Sequence, residues 1–206
     1  MTTNDTGKRR RLLLLAALIG LAAGVATAVM LAVIPAGGPQ QASSGKALIG
    51  GPFTLLEPDG TNVTDQTFAG KPMLVYFGFT NCPDVCPSGL QVISAALDKL
   101  GPKADGITPL FITVDPERDT PQVLGEYVKS FNPRIIGLSG SPQDIAAVTK
   151  AYRVYVNKVP NDKEPERYGV DHSSFMYLMD AKGEYVRHFL HTVDVDQLAN
   201  ELAKAL

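Results

Sequence analysis

The hydrophobic and polar positions of this 206-residue chain divide it into three parts. A basic run at residues 8–11 precedes 23 uncharged and mostly apolar residues, Leu12–Ile34. Pro35–Gly45 follows with glycine, proline, glutamine, serine and no charge, which is typical of a flexible linker. We place the end of this linker at residue 47. Beyond it, short apolar runs alternate with helical periodicities, which predicts one globular domain over residues 48–206.

The pattern of this outer part predicts alternating strands and helices. Met73–Phe79 and Leu110–Val114 are near-continuous apolar runs, as expected of strands buried on both faces. Between them, leucines and an isoleucine recur at helical spacing. The other predicted elements are a hairpin over 53–63, a helix over 120–130, a strand at 135–138, a helix over 141–151, an extended segment at 152–157, a polar loop over 157–168, a hairpin over 175–190 and a helix over 194–206. Early βαβ units followed by an antiparallel hairpin favour an α/β, thioredoxin-like fold.

Leu12–Ile34 is long enough to form one N-terminal transmembrane helix. At about 1.5 Å per residue it crosses a hydrocarbon core of about 30 Å. Positive charge stays on the cytoplasmic side, so residues 1–11 form a cytoplasmic tip and residues 48–206 lie outside. Only eleven residues precede the apolar run, which leaves little room for a mitochondrial transit peptide. The sequence therefore predicts a single-pass protein of the bacterial plasma (inner) membrane with a periplasmic domain.

A cleaved signal peptide is the alternative interpretation of this segment. Leu12–Val25 could be its apolar region, and Ala26–Ala28 fits a small-x-small cleavage site. However, the apolar run continues through Val29–Ile34, where a cleaved peptide would usually turn polar, so an uncleaved anchor is favoured. A buried core helix is disfavoured because the run has no polar face.

Charge and cysteine content exclude several classes of protein. The net charge of the whole chain is -2, which argues against a nucleic-acid binder. Without residues 1–34 the chain keeps 15 basic and 20 acidic residues, so the outer part is mildly acidic. Two cysteines are too few for a disulfide scaffold or a four-cysteine zinc site.

Cys82 and Cys86 follow a predicted buried strand and open a predicted helix. Residues four apart share one face of a helical turn, so both sulfurs can point at one centre. A helix N-terminus also favours thiolate over thiol, and the expected Cα separation of about 6 Å permits a disulfide. The pair can therefore bind a soft metal when reduced or form a disulfide when oxidised. A purely structural disulfide is disfavoured because it would close a very short loop.

His172 lies at a predicted loop-to-strand junction that faces the start of the cysteine helix in a thioredoxin-like sheet. It could supply a third ligand, and two thiolates with one imidazole suit Cu(I). Structural zinc would require a fourth ligand, and the chain has no third cysteine. A histidine after a loop is more often a surface or capping residue, so position alone leaves its ligation open.

Four segments occur together in this chain in a recognisable order: Tyr76–Thr80, Cys82–Pro87, Val114–Pro121 and Asp171–Ser173. In these segments the sequence resembles the Sco/SenC family of membrane-anchored copper proteins, which assist assembly of the binuclear copper site of cytochrome c oxidase. The resemblance covers most of Leu48–Leu206. It implies that Cys82, Cys86 and His172 bind copper, as Cu(I), Cu(II) or both. It also implies two partners, the copper-bearing oxidase subunit and other copper chaperones.

The acidic residues near these motifs have simpler interpretations. Asp115 fits a turn at the end of a strand, and Asp119 lies beside a predicted helix cap at Thr120, although a role beside the metal site stays open. Asp84, between the cysteines, is predicted to be exposed, where it could tune partner docking or thiol acidity.

The remaining histidines and two methionines are predicted to be structural. His188 and His191 project to opposite faces of the last strand, so they cannot form one site together. Met176 and Met179 also point to opposite faces, and thioethers in a hairpin are more often core residues than ligands.

Three functions are consistent with these residues. The first is a copper metallochaperone, and the second is a thiol–disulfide oxidoreductase that uses Cys82 and Cys86 as its redox pair on the same target. The third is a peroxidase, which requires an arginine near its reactive cysteine; Arg134 and Arg153 are the candidates. A thioredoxin is disfavoured because three residues separate the cysteines and residues 170–175 contain no proline.

Overall fold

The structure is a computed structural model that describes residues 48–164 and 168–206. The predicted cytoplasmic tip, transmembrane helix and linker lie outside the described residues. Among the residues described, no helix is both long and apolar enough to cross a membrane.

The described residues form nine strands and four α-helices. The strands are β1 Thr54–Leu56, β2 Asn62–Thr64, β3 Met73–Gly78, β4 Thr108–Thr113, β5 Ile136–Leu138, β6 Val156–Val159, β7 Gly169–His172, β8 Phe175–Met179 and β9 Tyr185–Leu190. The helices are α1 Val85–Leu100, α2 Pro121–Val128, α3 Pro142–Ala151 and α4 Val195–Ala205, with short 3₁₀ helices at Asp65–Phe68 and Gly101–Gly106.

A five-stranded mixed sheet forms the centre of this fold, in the order β5-β4-β3-β8-β9. Strands β3, β4 and β5 are parallel, whereas β8 is antiparallel to both β3 and β9. All six residues of β3 are buried, as expected of a strand covered on both faces. The βαβ units followed by an antiparallel hairpin confirm the mixed α/β, thioredoxin-like prediction.

Helix starts follow the capping residues that the sequence shows. The side chains of Thr120, Ser141 and Asp194 each accept a hydrogen bond from the backbone N–H three residues further on. Two of these helices begin with proline, whose missing N–H needs no partner at that position. The elements predicted from these caps therefore begin where the sequence places them.

The segment between α3 and β8 differs from its prediction. Strand β6 starts only at Val156, continues into the expected polar loop, and pairs antiparallel with β7 in a separate two-stranded sheet. Arg153, with φ of 56°, interrupts the predicted extended segment before β6. Most side chains of this hairpin are not buried, so no alternation of hydrophobic and polar residues in the sequence predicts its two strands. We call strands β6 and β7 the histidine hairpin, because His172 is its last residue.

Candidate metal centre

The cysteine loop, residues 79–86, joins the end of β3 to the first turn of α1. Cys86 lies in that first turn and is fully buried. Cys82, in contrast, precedes the helix, whose N-cap is the exposed Asp84. The expectation that both cysteines share a helical turn is therefore corrected. The Cys82 sulfur instead accepts the backbone N–H of Cys86 at 3.3 Å, one of the amides that a helix start leaves unpaired.

Asp119 anchors the beginning of the cysteine loop. Its carboxylate accepts the Thr80 backbone N–H at 3.0 Å and the Thr80 hydroxyl at 2.5 Å, and it also accepts the Thr113 hydroxyl at 2.7 Å. Asp119 is fully buried, and burial raises its pKa while the bonds from Thr80 and Thr113 oppose that rise. The acidic segment after β4 thus supports the site in addition to forming a turn and a helix cap.

Gly78 makes room for the buried thiol at the end of β3. A Cβ atom there would lie 2.8 Å from the Cys86 sulfur and 2.7 Å from the ring of Phe111. Both distances are shorter than van der Waals contact, so a side chain at residue 78 would displace the sulfur or the ring.

His172 approaches the cysteines from the end of β7. Its Nε2 lies 3.5 Å from the Cys86 sulfur, and its Nδ1 lies 3.0 Å from the carbonyl oxygen of Ser173. A carbonyl oxygen can only accept, so Nδ1 carries the proton and the Nε2 lone pair faces the sulfur. The ring also meets Phe79 edge-on, with 5.7 Å between ring centroids.

The structure brings the three sequence-predicted residues together. One donor atom from each of Cys82, Cys86 and His172 lies within 4.8 Å of the others, and neither cysteine forms a disulfide. Cys82 and His172 line a surface pocket together with Phe79 and Tyr168, and Cys86 is buried behind them. Two sulfurs and one imidazole nitrogen in this arrangement could hold a metal ion, and soft donors of this kind suit Cu(I).

The two thiols differ in acidity. A hydrogen bond from the Cys86 thiol, with smaller contributions from backbone amides, lowers the pKa of Cys82 to about 4 against the opposing effect of burial. The bond to Cys82 and then burial raise the pKa of Cys86. At neutral pH the centre therefore holds one thiolate and one thiol. Cys82 is therefore the better nucleophile and the better metal donor of the two, because the thiolate is the reactive form.

The other two histidines and two of the methionines lie apart from this centre. His188 bonds the Tyr185 hydroxyl at 2.6 Å, and His191 bonds the Ser174 hydroxyl at 3.1 Å. Met176 and Met179 are both fully buried in the core. These placements agree with their predicted structural roles.

The arginines are placed differently from what the sequence suggests. Arg134 pairs with Asp105, and Arg153 donates to the carbonyl of Leu48, so neither peroxidase candidate serves the cysteines. The arginine beside the centre is Arg118, whose guanidinium carbon lies 5.8 Å from the ring centroid of Phe79. Sequence reasoning passed over Arg118 because nothing in its local pattern distinguishes it from a surface residue.

Comparison with known proteins agrees with this geometry. A family model described as SCO1/SenC matches residues 41–206. The mitochondrial SCO1 homolog 1 of Arabidopsis thaliana is 47% identical over 165 residues, which is 80% of this chain and 49% of that protein. The SCO2-like protein of Rickettsia prowazekii is 42% identical over 153 residues, 74% of this chain and 75% of that protein. The chain thus spans about half the length of the Arabidopsis relative and three quarters of the Rickettsia one.

The same likeness extends to three dimensions. The structure of Bradyrhizobium japonicum ScoI, solved with copper bound, superposes with a TM-score of 0.72 at 46% identity, covering 77% of this chain and 99% of that one. The family match over residues 41–206 includes the whole cysteine loop and both strands of the histidine hairpin. The chain belongs to the SCO1/SenC family.

Proposed function

We propose that this protein is a copper metallochaperone that assists assembly of the binuclear copper site of cytochrome c oxidase. The observation that carries the proposal is the convergence of two cysteine sulfurs and one histidine nitrogen within 4.8 Å. Copper-bound structures of homologous Sco proteins support the choice of metal. Cys82, Cys86 and His172 are the proposed ligands of the copper that the protein receives and hands on.

The chemistry of the donors supports copper over zinc. Thiolates and imidazole are soft or borderline ligands, and three of them complete a Cu(I) site. A structural zinc site is nearly always four-coordinate, and the cluster found in the described residues has three members. The Nδ1 bond to the Ser173 carbonyl holds the imidazole with Nε2 free, as metal-bound histidines require.

The proposed setting is the outer face of a bacterial inner membrane. Residues 1–11 form the cytoplasmic tip, residues 12–34 the single transmembrane helix, and residues 35–47 a linker to the copper-binding domain at 48–206. The basic run and the long uncharged stretch support this layout. The partners in this setting are the copper-bearing oxidase subunit and other copper chaperones.

A thiol–disulfide oxidoreductase is the second candidate, favoured by the low pKa of Cys82. The Cys82 thiolate would attack a disulfide of the oxidase subunit, forming a mixed disulfide and releasing one target thiolate. Cys86, on losing its proton, would then attack Cys82 and release the second. The target gains two electrons and the chain is left with a Cys82–Cys86 disulfide.

Replacing the ligands one at a time in the reduced full-length chain tests the copper assignment. The unchanged protein should bind about one Cu(I) per chain, as one three-donor site permits. Cys82→Ser or Cys86→Ser should abolish tight binding, and His172→Ala should weaken it clearly. His188→Ala is the matched control and should leave binding unchanged. Stoichiometric tight binding that survived His172→Ala would contradict the assignment of that ligand.

Deleting the protein in cells separates the two candidate functions. Oxidase activity should fall when copper is limiting and recover when copper is added, because a chaperone raises local copper supply. Absence of any recovery would favour the reductase.

Fractionation should find the intact chain in the membrane, and a mature N-terminus at Val29 would instead show that a signal peptide is removed.

A further inference from the structure

The histidine hairpin lacks the support that fixes the cysteines. Strands β6 and β7 form a separate two-stranded sheet, and Val170 is its one buried side chain. An isolated two-stranded hairpin is marginally stable in water. Yet the last residue of β7 presents its Nε2 at 3.5 Å from a buried sulfur. Contacts outside the hairpin must therefore hold it in place.

Arg118 makes these contacts from the loop after β4. Its Nη1 donates to the carbonyl oxygen of Tyr168 at 3.0 Å, and its guanidinium carbon lies 3.8 Å from the centroid of the Tyr168 ring. Its Nε bonds the fully buried carboxylate of Asp115. The Tyr168 hydroxyl donates to the same carboxylate at 2.6 Å. We call Asp115, Arg118 and Tyr168 the latch.

Phe79 connects the latch to the metal centre, because it contacts both Arg118 and His172. The guanidinium of Arg118 lies between two rings, with Tyr168 at 3.8 Å and Phe79 at 5.8 Å. Phe79 is buried and in turn meets His172 edge-on. Arg118 thus ties the residue just before β7 to the first residue of the cysteine loop.

A second ion pair, which lies beside the latch, contributes less to holding the hairpin in place. Lys158 of β6 pairs with Glu117 at 2.7 Å and lies 4.8 Å from the ring of Tyr168. Both side chains are well exposed, at 44% and 57%, and exposed ion pairs are weak. Arg118, with a side chain 21% exposed and a buried carboxylate partner, is the stronger connection.

We propose that Arg118 and Tyr168 are positioning residues that hold the histidine hairpin, and with it His172, against the cysteine pair. The inference rests on the proposed copper function. With the latch open, the imidazole spends less time beside the sulfurs, and the metal loses its third ligand for part of the time. Loss of residues that orient a metal ligand typically costs about 10–100-fold in affinity.

Copper affinity of the reduced full-length chain, measured by competition with a Cu(I) chelator, tests this role. Arg118→Gln should weaken binding about 10-fold or more, and Tyr168→Phe, which keeps the ring stack, should weaken it less. Tyr155→Phe is the matched control, because it removes the same hydroxyl from an exposed tyrosine next to the hairpin. It should leave the affinity unchanged.

Repeating the substitutions with His172→Ala shows whether the latch acts through the histidine. Arg118→Gln should cause no further loss once His172 is absent, since two residues that act through one contact are not additive. An equal loss in both backgrounds would overturn the proposal, because it would mean a general effect on the fold. An unchanged affinity for both latch variants in the native background would also overturn it.

Hydrogen exchange of the metal-free, reduced chain provides a readout that does not need copper. Arg118→Gln and Tyr168→Phe should speed exchange of the β6 and β7 amides and leave those of β3 and β4 unchanged, whereas Tyr155→Phe should alter neither. Unchanged exchange in the hairpin would reject the latch. If the unsubstituted protein failed to bind Cu(I), the proposed function would fail, and exchange alone would still decide the latch.

Discussion

The two halves of the metal centre are held in opposite ways. The cysteine loop continues from the fully buried central strand β3, and the buried carboxylate of Asp119 holds it with two hydrogen bonds. The histidine hairpin lies outside the main sheet and is attached through the partly exposed latch. Two donors are therefore fixed by the core, whereas the third is fixed by a few polar contacts.

This difference suits the proposed function, in which the protein both holds and releases copper. Elements with few buried apolar contacts open at lower free energy than the core that supports them. Opening the hairpin would remove one proposed ligand and leave the cysteine pair in place. In the proposed function, the cysteine pair would stay in place as the anchor, and the histidine would withdraw when a partner takes the copper.

Hydrogen exchange of the unsubstituted protein should show the largest contrast between the two halves. Amides of β3 and β4 should exchange only through global unfolding, and amides of β6 and β7 through local opening, on the order of 100-fold faster or more. Equal protection of both regions would mean that the hairpin unfolds only together with the core, which would contradict a hairpin that opens separately.

A matched pair of glycine substitutions should show a smaller difference in stability. Gly78→Ala places a Cβ 2.7 Å from Phe111, and such overpacking costs about 1–3 kcal/mol. Gly169→Ala in β7 meets nothing closer than 3.6 Å, so its effect should stay within about 0.5 kcal/mol. Chemical denaturation of the reduced protein measures both. Similar losses at both positions would show that the hairpin is packed as tightly as the core.

The smallest expected contrast is in thiol acidity, which is measured from the thiolate absorbance as a function of pH. The reduced protein should show one thiolate at neutral pH, titrating near pH 4. Cys86→Ala should raise the pKa of Cys82 more than His172→Ala does, because the bond from Cys86 is the larger cause of the lowering. A larger shift for His172→Ala would make the hairpin, rather than the cysteine loop, the main source of the acidity.

The sign of the accompanying pH effect on stability follows from the same shift. The folded-state pKa of Cys82 lies below its ordinary value of 9.0, so ionisation of this thiol stabilises the fold fully above pH 9. That contribution shrinks as the pH falls and is gone below about 4. The stability difference between the reduced protein and Cys82→Ser should therefore widen as the pH rises from 4 to 8.

Prediction from sequence succeeded where one local signal was sufficient. Continuous apolar runs located β3 and β4, and capping residues located the starts of α2, α3 and α4. The prediction that Cys82 lies in the helix was wrong, because the spacing of the two cysteines does not show that α1 begins three residues after Cys82. Prediction from sequence also failed for β6, because an exposed strand outside the main sheet has no hydrophobic face to repeat.

The sequence by itself determined the family, the α/β order of the domain and the identity of the three candidate ligands, because these depend on residue types and spacings that the chain displays directly. Only the tertiary structure decided how the ligands meet. It placed Asp119 under the cysteine loop, Gly78 beside the buried sulfur, and Arg118 between Phe79 and Tyr168. These contacts join residues that are far apart in the sequence. They form only when the chain has folded, so no local sequence pattern reveals them.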